Sequence, residues 1–201
     1  MGCKKYKLSE ALTDIDGNVY EIAIFGNDLE FMAENLNVAH YRNGDPIPEI
    51  TDSVVWDTLS TGAWCYYNND PMSPYGKLYN WHAVNDSRGL APDGWHIPTY
   101  EEWDEFRWNI KGYPERGKKM KSRSGWNNSG NGSNETRFNG FPGGRRYVQN
   151  FGKIGDEGYW WSSTEESTGW AQYFYLDSSH DYFGESKIQK TSGFSVRCFK
   201  D

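Results

Sequence analysis

The chain has 201 residues, enough to bury a substantial core as one domain with at most a small appendage. Ten Trp, fourteen Tyr and ten Phe, with few long aliphatic residues and twenty-two Gly, imply a loop-rich fold whose core is built from rings. A net charge of −7 argues against nucleic-acid binding through phosphate neutralisation, and no apolar run reaches the length of a membrane span.

Residues 1–12 read as an N-terminal tail or anchor segment, and 13–201 as a single domain. In Met1-Gly-Cys-Lys-Lys5, Cys3 stands where a bacterial lipoprotein carries its lipid once the signal peptide is cut, so Cys3 is a candidate lipid anchor. The alternative is an ordinary cysteine near a chain terminus. Asp16-Gly17-Asn18, between Leu12–Ile15 and the alternating Val19–Phe25, predicts an opening β-hairpin. Asp14-x-Asp16-x-Asn18 faintly resembles the start of a calcium loop, but Val19 stands where that loop needs Gly and the closing Glu is absent, so the metal reading fails. Gly26–Leu36 continues as strand and turn, and Asn43-Gly-Asp-Pro46 is a loop.

Asp52–Leu59 predicts a short helix carrying Trp56, and Gly62–Tyr67 a strand. Tyr75–Val84 is apolar enough for a buried strand or a short helix, which periodicity does not separate. The clearest helix is Tyr100–Ile110. Thr99 and Glu102 form a capping box, acidic residues fill the first turns, and Trp103, Phe106 and Ile110 make one core stripe. The basic run Arg116–Lys121 reads as a solvated face. Pro142-Gly-Gly144 predicts a tight turn, and Val148–Ile154 leads into Gly158-Tyr-Trp-Trp-Ser-Ser-Thr-Glu165, a core strand. Phe194, Val196 and Cys198 alternate with Ser195 and Arg197 as in a half-buried closing strand.

Chemistry-bearing constellations are sparse. Cys65 with His82 or His96 is the one nucleophile–base combination of interest, and nothing local places them together. The histidines lack metal-ligand spacing, and no phosphate-binding loop is present, so no cofactor is implied. Cys65 and Cys198 are a candidate disulfide, worth roughly 4–5 kcal/mol in the chain-entropy model for so long a loop. Two buried free thiols are the alternative.

Several motifs occur in series: Met32-Ala-Glu-Asn-Leu36, Gly62-Ala-Trp-Cys-Tyr-Tyr-Asn-Asn-Asp70, Tyr75-Gly-Lys-Leu-Tyr-Asn-Trp81 and Gly94-Trp-His-Ile-Pro-Thr99. Gly140-Phe-Pro-Gly-Gly-Arg145, Gly158–Glu165 and Gly193-Phe-Ser-Val-Arg-Cys198 follow. Together they resemble the Fibrobacter succinogenes major paralogous domain over about residues 13–201; Asn27–Phe31 departs from that pattern, which usually has adjacent tryptophans there. The resemblance implies an α+β, C-type-lectin-like fold of the formylglycine-generating-enzyme branch, with mixed antiparallel strands, one or two helices and long loops. That enzyme's copper site needs two C-terminal cysteines; only Cys198 lies in that region, so oxidase activity is not carried over. The calcium-dependent sugar-binding tripeptide of true C-type lectins is absent too.

Between its two anchored ends the C-terminal stretch mixes aromatics with short polar residues, as recognition surfaces do. Trp170, Gln172, Tyr173, Tyr175, Asp177, Ser179, His180, Asp181, Tyr182 and Phe183 are the candidate ligand contacts, with core packing the alternative for Tyr173 and Tyr175. Every residue of Asp177–Gly184 is also reachable from an Asn codon by adenine mutagenesis, the device that diversifies some proteins of this fold; ordinary divergence among paralogues is the alternative. The expected protein is a non-catalytic display module, secreted, cell-surface or virion-borne, whose partner is a surface glycan or a protein receptor. It would meet a membrane only through a lipid on Cys3. The rivals are an enzyme using Cys65, His82 or His96, and a structural surface decoration.

Overall fold

A computed structural model describes residues 11–26 and 28–201, so Cys3 and its candidate lipid lie outside the described residues. Asp14 sets the first turn. Its Oδ1 accepts the backbone N–H groups of Asp16 and Asn18, each at 2.9 Å, and its Oδ2 accepts the Tyr20 hydroxyl at 2.6 Å. The acidic residue thereby closes the predicted hairpin, β1 (Leu12–Thr13) against β2 (Val19–Tyr20). A second hairpin, β3 (Ile22–Phe25) with β4 (Leu29–Met32), joins β7 (Trp95–His96) and β13 (Phe199–Lys200) in a sheet of order β3-β4-β13-β7.

The short helix α1 (Ser53–Asp57) starts where Asp52 caps the N–H groups of Val54 and Val55, and it buries Trp56. The Gly62–Tyr67 stretch yields only β5 (Trp64–Cys65), followed by a 3-10 turn. The ambiguous Tyr75–Val84 segment is both things in turn: β6 (Leu78–Tyr79) pairs with β5, and α2 (Trp81–Val84) follows at once. Asn80 makes that switch. Its buried Oδ1 accepts from Ala83 N–H in the new helix and from Ala63 N–H beside β5. Helix α3 (Tyr100–Asn109) forms with the expected capping box and buries Trp103 and Phe106.

The larger sheet contains β8 (Gly143–Tyr147), β9 (Asn150–Ile154), β10 (Glu157–Ser167), β11 (Trp170–Asp177) and β12 (Gly184–Gln189). Its order is β12-β11-β10-β8-β9, antiparallel except where β10 meets β8. Gly143 and Gly144, predicted as a turn, begin β8. Residues read as surface, Trp170–Asp177, are instead a regular strand in the middle of the sheet. Strand alternation then sorts its rings. Trp160, Phe174 and Leu176 go to one face, in a cluster with Trp103, Phe106 and Phe138. Tyr159, Trp161 and Tyr173 go to the other, around Phe194.

The architecture is α+β, with mostly antiparallel strands and, among the described residues, four short helices rather than one or two. Three further expectations are corrected. The closing segment is not half-buried: Phe194 through Cys198 are all interior, including Ser195 and Arg197. Arg197 tolerates this because its guanidinium meets Asn35 Oδ1 at 2.7 Å and the carbonyls of Met32, Phe138 and Asn139. Burial lowers its pKa to about 9.

The basic run is a solvated face only in part, at Lys118 and Lys119. It forms α4 (Arg116–Met120), in which Arg116 is buried under Trp108 and Tyr113, and the next residue, Lys121, is buried outright. Finally, Cys65 and Cys198 are not bridged. Both are buried free thiols, and they belong to different core clusters, so the loop they would close is held by packing instead.

Candidate functional site

On the Tyr159–Tyr173 face, the sheet borders a cleft of about 670 Å³. Its floor follows from register. Tyr159 on β10 lies opposite Tyr175 on β11, and Tyr173 lies one pleat further along. The three ring centroids are 5.8, 6.0 and 6.4 Å apart, within the range of favourable aromatic contact. Tyr175 lies across Gly184 of β12, where a Cβ would fall 2.6 Å from its ring, so only glycine there leaves the ring its place.

One wall is the loop between β11 and β12. Asp177 shapes it: the carboxylate Oδ1 accepts the N–H groups of Ser179 and His180 and lies 2.9 Å from His180 Nδ1. Tyr182 folds back so that its hydroxyl lies 3.4 Å from that of Tyr175, and its ring is 5.1 Å from His180. The loop is fastened from beneath by backbone. Gly117 N–H donates to Asp181 O at 2.7 Å, Ser178 N–H donates to Asp156 O at 2.7 Å, and buried Lys121 Nζ donates to Asp177 O and His180 O. A Cβ on Gly117 or Gly130 would strike the carbonyl of Tyr182 or Ser178 at 2.3 and 2.4 Å. The anchors grip the main chain and leave the side chains of Ser179, His180 and Tyr182 facing the cleft.

The opposite wall comes from β8, β9 and the start of β10, with Arg145, Lys153, Asp156 and Glu157. Glu157 accepts the Tyr159 hydroxyl and pairs with Lys153 at 2.9 Å. Burial, and for Tyr159 and Tyr175 their oxygen neighbours, raises the pKa of all three floor phenols, so each is a protonated hydrogen-bond donor at neutral pH.

The cleft brings together Tyr173, Tyr175, Asp177, Ser179, His180 and Tyr182 from the candidate contacts. It does not contain the other four. Phe183 is 3% exposed and packs on Trp103 and Phe174, because it follows the loop's return into the sheet. Trp170 stands at the far end of β11, five residues from Tyr175, and Gln172 pairs there with Glu166. Asp181 turns toward Lys121 Nζ at 3.0 Å. Tyr173 is largely core, as the alternative reading had it, with only an edge in the cleft. Sequence reasoning missed Tyr159, Arg145 and the acidic wall. The alternation Tyr159/Trp161 against Tyr173/Tyr175 carries a signal for Tyr159; none marks Arg145 as a neighbour of the loop.

The comparisons with known proteins bear on the whole domain. A family model described as the Fibrobacter succinogenes major domain matches residues 26–200. The chain belongs to this family. The match takes in every strand of both larger sheets except β3, whose pairing with β4 attaches the N-terminal hairpins to the family domain. Comparison with curated proteins and with solved structures found no match to either. No helix among the described residues is long and apolar enough to cross a membrane, and no group of three or more His, Cys, Asp or Glu among them could hold a metal ion.

Proposed function

We propose that this family member is a non-catalytic binding module of C-type-lectin-like architecture, displayed on a cell or virion surface, and that it recognises a surface glycan in the tyrosine-floored cleft. The observation that carries the reading is the pair of half-buried rings Tyr175 and Tyr182 in the cleft, backed by the buried rings of Tyr159 and Tyr173. Rigid rings give flat contact area at low entropic cost, and protonated phenols with the loop's Ser and His supply hydroxyl-directed hydrogen bonds. The main-chain fastening of the loop supports a surface whose side chains can be exchanged without disturbing its shape.

The enzyme alternative asks Cys65 to be a nucleophile. Burial pushes its thiol up to about 11, and His96 has both ring nitrogens engaged, with Asp201 at 2.8 Å and Glu102 at 2.9 Å. A buried protonated thiol is a poor attacking group. The test is a panel of bacterial surface glycans probed with the intact chain and with Tyr175→Ala. Binding that falls at least about tenfold in the variant, with melting within a few degrees of the parent, is the expected result. Equal binding by both proteins, or turnover that Cys65→Ser abolishes, overturns the proposal.

A further inference from the structure

We propose that the cleft takes an acidic sugar, with its carboxylate on Arg145 and its ring against Tyr175 and Tyr182; this rests on the glycan reading above and narrows it. The argument is an accounting of charge. Each carboxylate lining the cleft is already engaged: Asp156 by Asn127 Nδ2 at 3.1 Å, Glu157 by Lys153 and the Tyr159 hydroxyl, Asp177 by the loop, and Glu185 by Arg107. Lys153 is engaged in turn by Glu157.

Arg145 alone differs. Its guanidinium has no hydrogen-bond or ion-pair acceptor among the described residues and is held only by rings, 5.3 Å from Tyr159 and 5.1 Å from Tyr147. The next residue is the control. Arg146, on the opposite face of β8, is also stacked, 4.4 Å from the Trp56 ring, but it donates to the carbonyls of Ile50, Thr51 and Asp52. One arginine is a core fastener and its neighbour is an oriented, unsatisfied fork at the rim of the cleft. Such a planar fork matches a carboxylate in bidentate geometry, which a lysine cannot reproduce. The acidic groups nearby would repel a polyanion, so an isolated carboxylate on a sugar ring suits the site better than a sulfated chain.

The experiment titrates the intact chain, by amide NMR, with methyl β-glucuronide, its neutral counterpart methyl β-glucoside, the methyl glycoside of a sialic acid, and a short Asp/Glu peptide. At least one acid sugar should bind about tenfold or more tighter than the glucoside, as a charge-assisted bidentate pair warrants. Arg145→Gln should erase that preference, and Arg145→Lys should restore only part of it. Equal affinity for acid and neutral sugars, or a preference that survives in Arg145→Gln, overturns the acid-sugar assignment and leaves the cleft a glycan site. Binding of the peptide alone overturns the sugar assignment, and no shift at the floor tyrosines with any sugar overturns both readings.

Discussion

Lys121 is the side chain on which the shape of the cleft's loop depends, and replacing it with Met isolates that role. The lysine is 1% exposed. Its Nζ donates to Asp177 O at 3.2 Å, His180 O at 2.9 Å and Asp181 Oδ1 at 3.0 Å, and it lies 5.6 Å from the Trp126 ring. Met preserves the length and the contact with Trp126 but removes every donor. Hydrogen bonds from a charged donor contribute roughly 1.5–3 kcal/mol each. Asp181, 43% exposed, regains water when released, and the variant no longer buries an ammonium group, so the three do not add in full. The net loss expected is about 2–4 kcal/mol, which for a chain of this size lowers the melting temperature by about 4–16 °C. Thermal unfolding measures the first quantity. Hydrogen exchange at the Ser179 and His180 amides, which donate to Asp177, measures whether the loop loosens. A variant that melts within about 2 °C of the parent, with the same protection at those amides, would refute the claim that this lysine holds the loop.

Three other outcomes follow from the geometry. Phe183→Ala should cost about 3–5 kcal/mol, whereas His180→Ala, on the exposed side of the same loop, should stay within about 0.5 kcal/mol; paired denaturant titrations make the comparison, and similar costs would refute the division of the loop into core and display. Cys65 and Cys198 should resist iodoacetamide at pH 8 in the folded protein and react fully in denaturant without any reductant, read by intact mass, because burial raises both thiols. His82 has its pKa lowered, first by burial and then by the Lys190 charge, so the unfolded chain binds the extra proton more readily. Stability should therefore be complete above the ordinary imidazole range and decline as pH falls through it toward the lowered folded pKa; His82→Asn should flatten that part of the stability–pH curve, and an unchanged slope would contradict the assignment.

Local rules were legible where the chemistry is local. The capping box at Thr99 and Glu102 and the Asp16-Gly17 hairpin each depend on residues within a few positions of one another, and both form as read. The serial motifs pointed to a family that the match over residues 26–200 shows. Reading failed where a polar residue is satisfied by partners far along the chain. Arg197 and Lys121 look like solvent-facing charges because acceptors such as Phe138 O for Arg197 and His180 O for Lys121 lie 59 residues away. Trp170–Asp177 looked like surface because a central strand flanked by two packed layers shows no single apolar face.

The order of the chain by itself settled the family, the start of the helix after Thr99, the first hairpin turn, and the stretch holding much of the cleft. Tertiary structure decided which side of each residue matters. Strand pairing put Tyr159 beside Tyr175 and sent Phe183 inward, and the parallel contact of β10 with β8 set Arg145 at the rim, against rings and with no hydrogen-bond acceptor among the described residues. Sequence spacing specifies periodicity, whereas the partner of a buried charge or a stacked ring is fixed only when distant segments compete for the same space.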